Sequence, residues 1–348
     1  MNIIRVLVID DSAFMRKILS DMLASDPRIE VVGTARNGED GLHKIKQLSP
    51  DVITLDVQMP VMDGITALKE IMQTHPIPVV MLSSVTEDAT IKTIQAISSG
   101  AVDFIAKPSG AISIDIETMK QEIIHKVITA SMVKLPRQQK ASKKQIPIKE
   151  PIKELANYHQ TIVAIGASTG GPRALQHIVE QLPKNLAAAV LVVQHMPAGF
   201  TKSLAERLNL KSELLVKEAE HGERLQHGVV YIAPGGWHMK LSQIGTSIFI
   251  DLTEEDPLRG HRPSVDMLFT SVAPLQEVNK IAVILTGMGN DGTDGIKNLK
   301  KSDDRTYVIA ESEETAIVYG MPKAVMATNL VNKQVPLDEV SRLITKLV

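Results

Sequence analysis

Short, wholly apolar runs alternate along the chain with longer segments whose apolar positions recur at helical spacing, and this pattern begins twice. In the first stretch IIRVLVI, IEVVG, DVITL, PVVML and VDFIA read as buried strands. Ala13 to Ala24, Gly38 to Gln47, Ile65 to Gln73, Thr90 to Ser98 and Ile116 to Met132 read as the helices that follow them. Five strand–helix repeats predict an α/β domain with a doubly wound, flavodoxin-like parallel sheet, whose ligand site falls at the C-terminal ends of the strands. From Thr161 the alternation restarts with TIVAIG, a helical segment Arg173 to Gln181, the strand AAAVLVVQ and a later strand KIAVILTGMGND. A second doubly wound parallel-sheet domain is expected there.

Between the two patterns lies KLPRQQKASKKQIPIKEPIKELANYHQ, which has three prolines, few large apolar residues and no sustained period. It reads as an extended, semi-rigid linker. The expected division is therefore 1–125, a helix end and basic linker over 126–160, and a second domain over 161–348. A length of 348 residues suits two domains at roughly 150 residues each.

Charge sharpens this division. Residues 1–133 carry 12 Lys and Arg against 17 Asp and Glu, 134–160 carry 7 against 2, and 161–348 carry 19 against 21. Only the linker is basic, and with Tyr158 as its one aromatic it offers weak, salt-sensitive phosphate attraction, so no nucleic-acid partner is expected. The chain has no cysteine, which excludes disulfides, thiolate metal sites and a cysteine nucleophile. Neither a secretory leader nor an apolar run of the roughly 18 to 20 residues that span a bilayer is apparent. A cytoplasmic protein with no direct membrane insertion is expected.

Polar residues at the strand ends carry the candidate chemistry. In the first domain, strand one ends at Asp10 and Asp11, strand three at Asp56 and strand four at Ser83, and Lys107 follows strand five. Three carboxylates, a hydroxyl and an ammonium make a hard, oxygen-rich pocket suited to Mg²⁺ and a phosphoryl group, with Asp56 as the nucleophile. An aspartate at such a position can also serve simply as a helix cap.

VIDDS (8–12), TLDVQMPVMDG (54–64), MLSS (81–84) and GAVDFIAKP (100–108) occur in the order and at the strand ends seen in the receiver domain of two-component response regulators, which residues 1–125 resemble. The resemblance implies that Asp56 accepts a phosphoryl group from a histidine kinase. Asp10, Asp11 and the backbone near Gln58 would hold Mg²⁺, and Ser83 would follow the phosphate. Phe104 stands either as the aromatic that reports switching or as a core aromatic of the sheet.

In the second domain, Gly166-Ala-Ser168-Thr-Gly170 fits G-x-S-x-G, whose glycines let a strand turn sharply into a helix and lift a serine outward. His195 ends the next strand and Asp291 follows a later one. Side chains at neighbouring strand ends can meet, giving Ser168 as nucleophile, His195 as general base and Asp291 as its orienting acid. The order Ser, His, Asp differs from that of α/β-hydrolases, so that fold is not expected. A rival reading takes Gly287-Met-Gly289-Asn-Asp-Gly292 as a dinucleotide fingerprint with Glu311 as the ribose-binding acid, making the chain a receiver-controlled nicotinamide or flavin oxidoreductase.

IGASTGGP (165–172), QHMPAGFT (194–201), VVYIAPGGWHM (229–239), HRPSVDMLFTSVA (261–273), LTGMGNDG (285–292) and VYGMPKAV (318–325) are similar to the catalytic domain of chemotaxis protein-glutamate methylesterases. That resemblance places the triad on Ser168, His195 and Asp291. It implies ester hydrolysis on methylated glutamates of chemoreceptor helices with release of methanol, and deamidation of particular glutamines, with no cofactor for the ester chemistry. Backbone N–H groups near Thr169 or Met288 are the oxyanion candidates. The family commonly has Gln where this chain has Glu311, a change expected at the periphery of the cleft. A receiver tied to a hydrolase implies regulation in which the unphosphorylated receiver covers the cleft.

Overall fold

The computed structural model describes residues 3–107, 116–133 and 160–348. The chain divides into two compact units, Met1–Leu135 and Pro136–Val348. The linker lies outside the described residues apart from Gln160, and so does Pro108 of the GAVDFIAKP motif.

The first unit runs β1 (Ile4–Ile9), α1 (Ala13–Ala24), β2 (Ile29–Ala35), α2 (Gly38–Leu48), β3 (Val52–Asp56), α3 (Gly64–Thr74), β4 (Val79–Ser83), α4 (Glu87–Ser98), β5 (Asp103–Ala106) and α5 (Ile116–Ser131). All four strand pairings are parallel, in the order β2-β1-β3-β4-β5. Every residue of β3 and β4 is buried, as a sheet covered by helices on both faces requires. Three helix starts are fixed by side chains that accept a backbone N–H: Ser12 from Met15, Asn37 from Asp40 and Asp63 from Thr66. Helix α5 buries Ile123, Val127 and Ala130 and packs on α1 and β5.

The second unit runs β6 (Gln160–Ala167), α6 (Gly171–Val179), β7 (Ala189–Gln194), α7 (Phe200–Asn209), β8 (Leu215–Glu218), β9 (Val229–Ile232), β10 (His238–Ile244), β11 (Ser247–Thr253), α8 (Val265–Val272), β12 (Val278–Ile284), α9 (Thr293–Ser302), β13 (Tyr307–Glu311), α10 (Met321–Met326), β14 (Lys333–Val335) and α11 (Leu337–Leu347). Seven of these strands form a parallel sheet in the order β14-β13-β12-β6-β7-β9-β8. β6 lies between β12 and β7, so the chain leaves it first towards β7 and returns later on its other side. This reversal is the switch point at which such sheets place their ligands. The remaining strands, β10 and β11, pair as an antiparallel hairpin whose β10 packs on α8, an element the strand–helix alternation does not foretell. A single core of buried side chains, including Leu191, Tyr231, Phe269, Ile284 and Val308, joins sheet, hairpin and α8. No described helix is long and apolar enough to cross a membrane.

Candidate functional sites

At the C-terminal edge of the first sheet, β1 and β3 deliver Asp10 and Asp56 side by side. Both are buried, whereas Asp11 is exposed. One oxygen from each of the three carboxylates falls within 4.8 Å of the others. The Lys107 Nζ lies 2.8 Å from Asp10 Oδ2 and 2.8 Å from Asp56 Oδ2. Burial, with the Asp10 charge added, pushes the Asp56 carboxyl above its ordinary range despite the Lys107 ammonium. Lys107 is held above the ordinary lysine range: burial opposes its charge, but its bonds to the two carboxylates outweigh that. Three oxygen donors of this kind fit a small hard cation.

Ser83 and Phe104 are each held by their own partners. The Ser83 hydroxyl is drawn towards α4, 2.7 Å from Thr93 Oγ1 and 3.3 Å from the Ala89 carbonyl. Phe104 is buried, with the Lys126 Nζ 5.0 Å from its ring centroid and hydrogen-bonded to its carbonyl oxygen.

In the second unit, register sets the serine turn beside the strand that leads into His195. Ala167 pairs with Gln194 across β6 and β7, and the His195 N–H donates to the Ala167 carbonyl at 3.1 Å, so Ser168 and His195 leave neighbouring strands at one level. On the other side the Ser168 N–H donates to the Thr286 carbonyl at 3.0 Å. Gly170, at φ 78°, occupies the left-handed turn that starts α6. The loop after β12 passes so close that a Cβ at Gly287 would sit 2.8 Å from the Ser168 Cβ. Gln194, also buried, donates from Nε2 to the Ser168 carbonyl at 3.0 Å and to that of His195 at 3.3 Å.

His195 and Asp291 form a direct pair, Nε2 to Oδ2 at 2.8 Å, with side chains only 6% and 3% exposed. Asp291 is not a cap of α9, which follows it. It instead sits on the N-terminus of α8, accepting the Val265 N–H at 2.7 Å, the Asp266 N–H at 2.9 Å and the Ser264 hydroxyl at 2.9 Å. Burial opposes its charge, yet the His195 bond and these helix N–H groups hold its carboxyl well below the usual range. With Asp291 accepting, Nε2 of His195 carries the hydrogen and Nδ1 presents its lone pair. That Nδ1 is buried and makes no hydrogen bond. The His261 ring stacks on His195 with centroids 3.8 Å apart and planes 8° apart, fixing the ring orientation.

His261, Ser264 and Gln194 were not singled out by sequence reasoning. His261 and Ser264 stand in HRPSVDMLFTSVA, but ten histidines gave no ground for preferring this one. Thr169 is buried at the start of the α6 turn and Met288 lies half-buried in the loop after β12, so both oxyanion candidates border the serine.

The position of Glu311 corrects the expectation that it lies at the rim of the cleft. It is fully buried at the end of β13, with Oε2 accepting the Thr286 N–H at 2.8 Å and Oε1 accepting the Thr315 hydroxyl at 3.0 Å. On β14 it pairs with Val335. The same placement counts against the dinucleotide reading, because both oxygens are engaged inside the protein and none is left for a ribose.

A sheet with an acid pocket of the receiver type, followed by a parallel α/β unit carrying an acid–histidine pair beside a serine turn, defines a phosphorylation-controlled hydrolase. Residues 6–117 match the response regulator receiver domain, and residues 163–344 match the CheB methylesterase domain. The chain belongs to the CheB methylesterase family. It is 56% identical to the protein-glutamate methylesterase/protein-glutamine glutaminase of Oceanobacillus iheyensis, over 99% of each chain. It is 53% identical to the protein of that name from Halalkalibacterium halodurans, over 96% of this chain and 95% of the other. The crystal structure of the Thermotoga maritima CheB methylesterase catalytic domain is similar to 54% of this chain and 99% of its own, at 46% identity and a TM-score of 0.52.

Proposed function

We propose that this chain hydrolyses glutamate γ-methyl esters on the cytoplasmic helices of chemoreceptors, releases ammonia from particular receptor glutamines, and is controlled by phosphorylation of Asp56. The observation that carries the reading is the buried His195–Asp291 pair beside the Ser168 turn. In this reading the Ser168 Oγ attacks the side-chain carbonyl while His195 Nδ1 takes its proton. Asp291 balances the imidazolium that results. The tetrahedral intermediate collapses as His195 returns the proton to the leaving methoxide, giving methanol and an acyl-serine. Water activated by the same nitrogen then releases the glutamate and restores Ser168. The Thr169 and Met288 N–H groups are the donors proposed for the oxyanion. A glutamine follows the same path with ammonia as the leaving group.

In the first unit, Asp10, Asp11 and Asp56 would hold Mg²⁺, which when bound neutralises the carboxylates and the incoming phosphoryl charge. Lys107, already between Asp10 and Asp56, would move its charge onto the transferred group, and Ser83 would turn from α4 to follow it. The phosphodonor is a chemotaxis histidine kinase.

The sign of the control is open to direct measurement. If the unphosphorylated receiver covers the cleft, a fragment of residues 155–348 is expected to release methanol faster than the unphosphorylated full chain and to ignore phosphodonors. The gain is bounded by the inverse of the open population, about 10- to 1000-fold. A fragment slower than the parent, at equal folded concentration by circular dichroism, would replace occlusion by activation through new contacts.

A further inference from the structure

One buried acid of the second unit takes no part in the hydrolytic steps. Glu311 receives the Thr286 N–H and the Thr315 hydroxyl, and Thr286 is itself a junction. Its carbonyl accepts the Ser168 N–H, and its hydroxyl donates to the Thr169 carbonyl at 2.9 Å and accepts the Val318 N–H at 2.9 Å. The adjacent Gly287 N–H donates to the Val318 carbonyl at 3.0 Å. One residue thus ties the serine turn to the loop that carries Met288, and Glu311 holds that residue by its peptide.

We propose that Glu311 is a positioning residue of the hydrolytic site, fixing the Thr286 peptide so that the Ser168 turn and the Met288 loop keep their spacing. The inference rests on the reading of Ser168 as nucleophile. An apolar side chain at 311 leaves the Thr286 N–H buried without an acceptor, which the loop relieves only by shifting. A glutamine keeps an acceptor for that N–H, and its amide N–H₂ can donate to the Thr315 oxygen.

Glutamate differs from glutamine in being ionisable. Burial raises the Glu311 carboxyl to about 7 against the pull of its two hydrogen bonds. No Lys, Arg or His pairs with it among the described residues. β14 faces it with Val335, the loop after β12 with Thr286, and the segment after β13 with Thr315. The other acids nearby in the chain, Glu313 and Glu314 after β13 and Asp338 in the first turn of α11, are exposed, and Glu339 is half-buried. The charged form accepts both bonds, and the protonated form, like glutamine, accepts the Thr286 N–H on one oxygen and donates from the other to Thr315, so the strut holds on either side of neutrality.

The test measures methanol release from methylated receptor membranes by the full chain and by E311M, E311Q and S168A, from pH 6 to 8.5. E311M is expected to lose kcat by about 10- to 100-fold with KM little changed, the scale of a small misplacement of reacting groups. E311Q is expected to recover most of that loss and to keep the shape of the wild-type pH profile. E311M at wild-type kcat, or E311Q as slow as E311M, overturns the positioning role. If E311M does not fold, E311A, which likewise leaves the Thr286 N–H without its acceptor, takes its place and must lower kcat at unchanged KM; wild-type kcat in E311A overturns the proposal. Activity retained in S168A would instead refute the nucleophile, a separate failure.

Discussion

Ser168→Ala and His195→Ala are each expected to abolish methanol release to within a trace, while circular dichroism and unfolding midpoints stay near those of the parent. Neither side chain fills a core position: Ser168 is half-buried in a turn held by its backbone, and His195 closes β7. In the proposed mechanism both are needed at once, because the serine hydroxyl is a poor nucleophile until a base such as Nδ1 of His195 takes its proton. General-base assistance alone is worth a factor of about 10² to 10⁴, and losing the nucleophile removes the covalent route altogether. The double variant should be no slower than either single one, since residues acting as a unit do not add. Asp291→Asn is expected to damage both function and structure. Its carboxylate receives His195 Nε2 and the N–H groups that open α8, and an amide nitrogen there would turn a donor against a donor. Retention of more than about a tenth of the rate in either alanine variant, against the hundredfold minimum for base catalysis, would sink the triad.

Phosphorylation offers an all-or-none result. With Mg²⁺ and a small-molecule phosphodonor, the label is expected on Asp56 alone and is expected to vanish in Asp56→Asn. Asp56 is the acid at the end of β3, paired with Lys107 and next to Asp10. Asparagine has almost the same shape but no nucleophilic carboxylate. Asp10 is engaged by Lys107 and by the Ser12 N–H at 2.9 Å. Reductive trapping followed by mass spectrometry locates the acyl phosphate, and wild-type labelling in Asp56→Asn would refute the assignment. Lys107→Ala should leave labelling possible but slower, since it removes charge stabilisation without removing the nucleophile.

Most of the scaffold was legible before any coordinates. Buried strands such as DVITL and KIAVI announce themselves because a parallel sheet covered on both faces tolerates only apolar side chains, and Ser12, Asn37 and Asp63 mark helix starts by a local hydrogen bond. Residues at the ends of those strands follow from the same local pattern, which is why Asp10, Asp56, Ser168, His195 and Asp291 could be named from spacing. The β10–β11 hairpin escaped, since β8 to β11 follow one another with no helix between them.

The sequence by itself determined the two α/β patterns, the basic stretch between them and the polar groups at the strand ends. Only the tertiary structure decided what each of those groups touches. It put Asp291 on the N-terminus of α8, 25 to 27 residues away in the chain. It laid His261 flat against His195, turned Ser83 towards α4, and moved Glu311 from the expected rim to the interior. Periodicity reports which face of an element is buried, because burial follows from residues a turn or a pleat apart. The partner of a buried polar group is chosen by where distant strands and helices converge, and no local pattern encodes that distance.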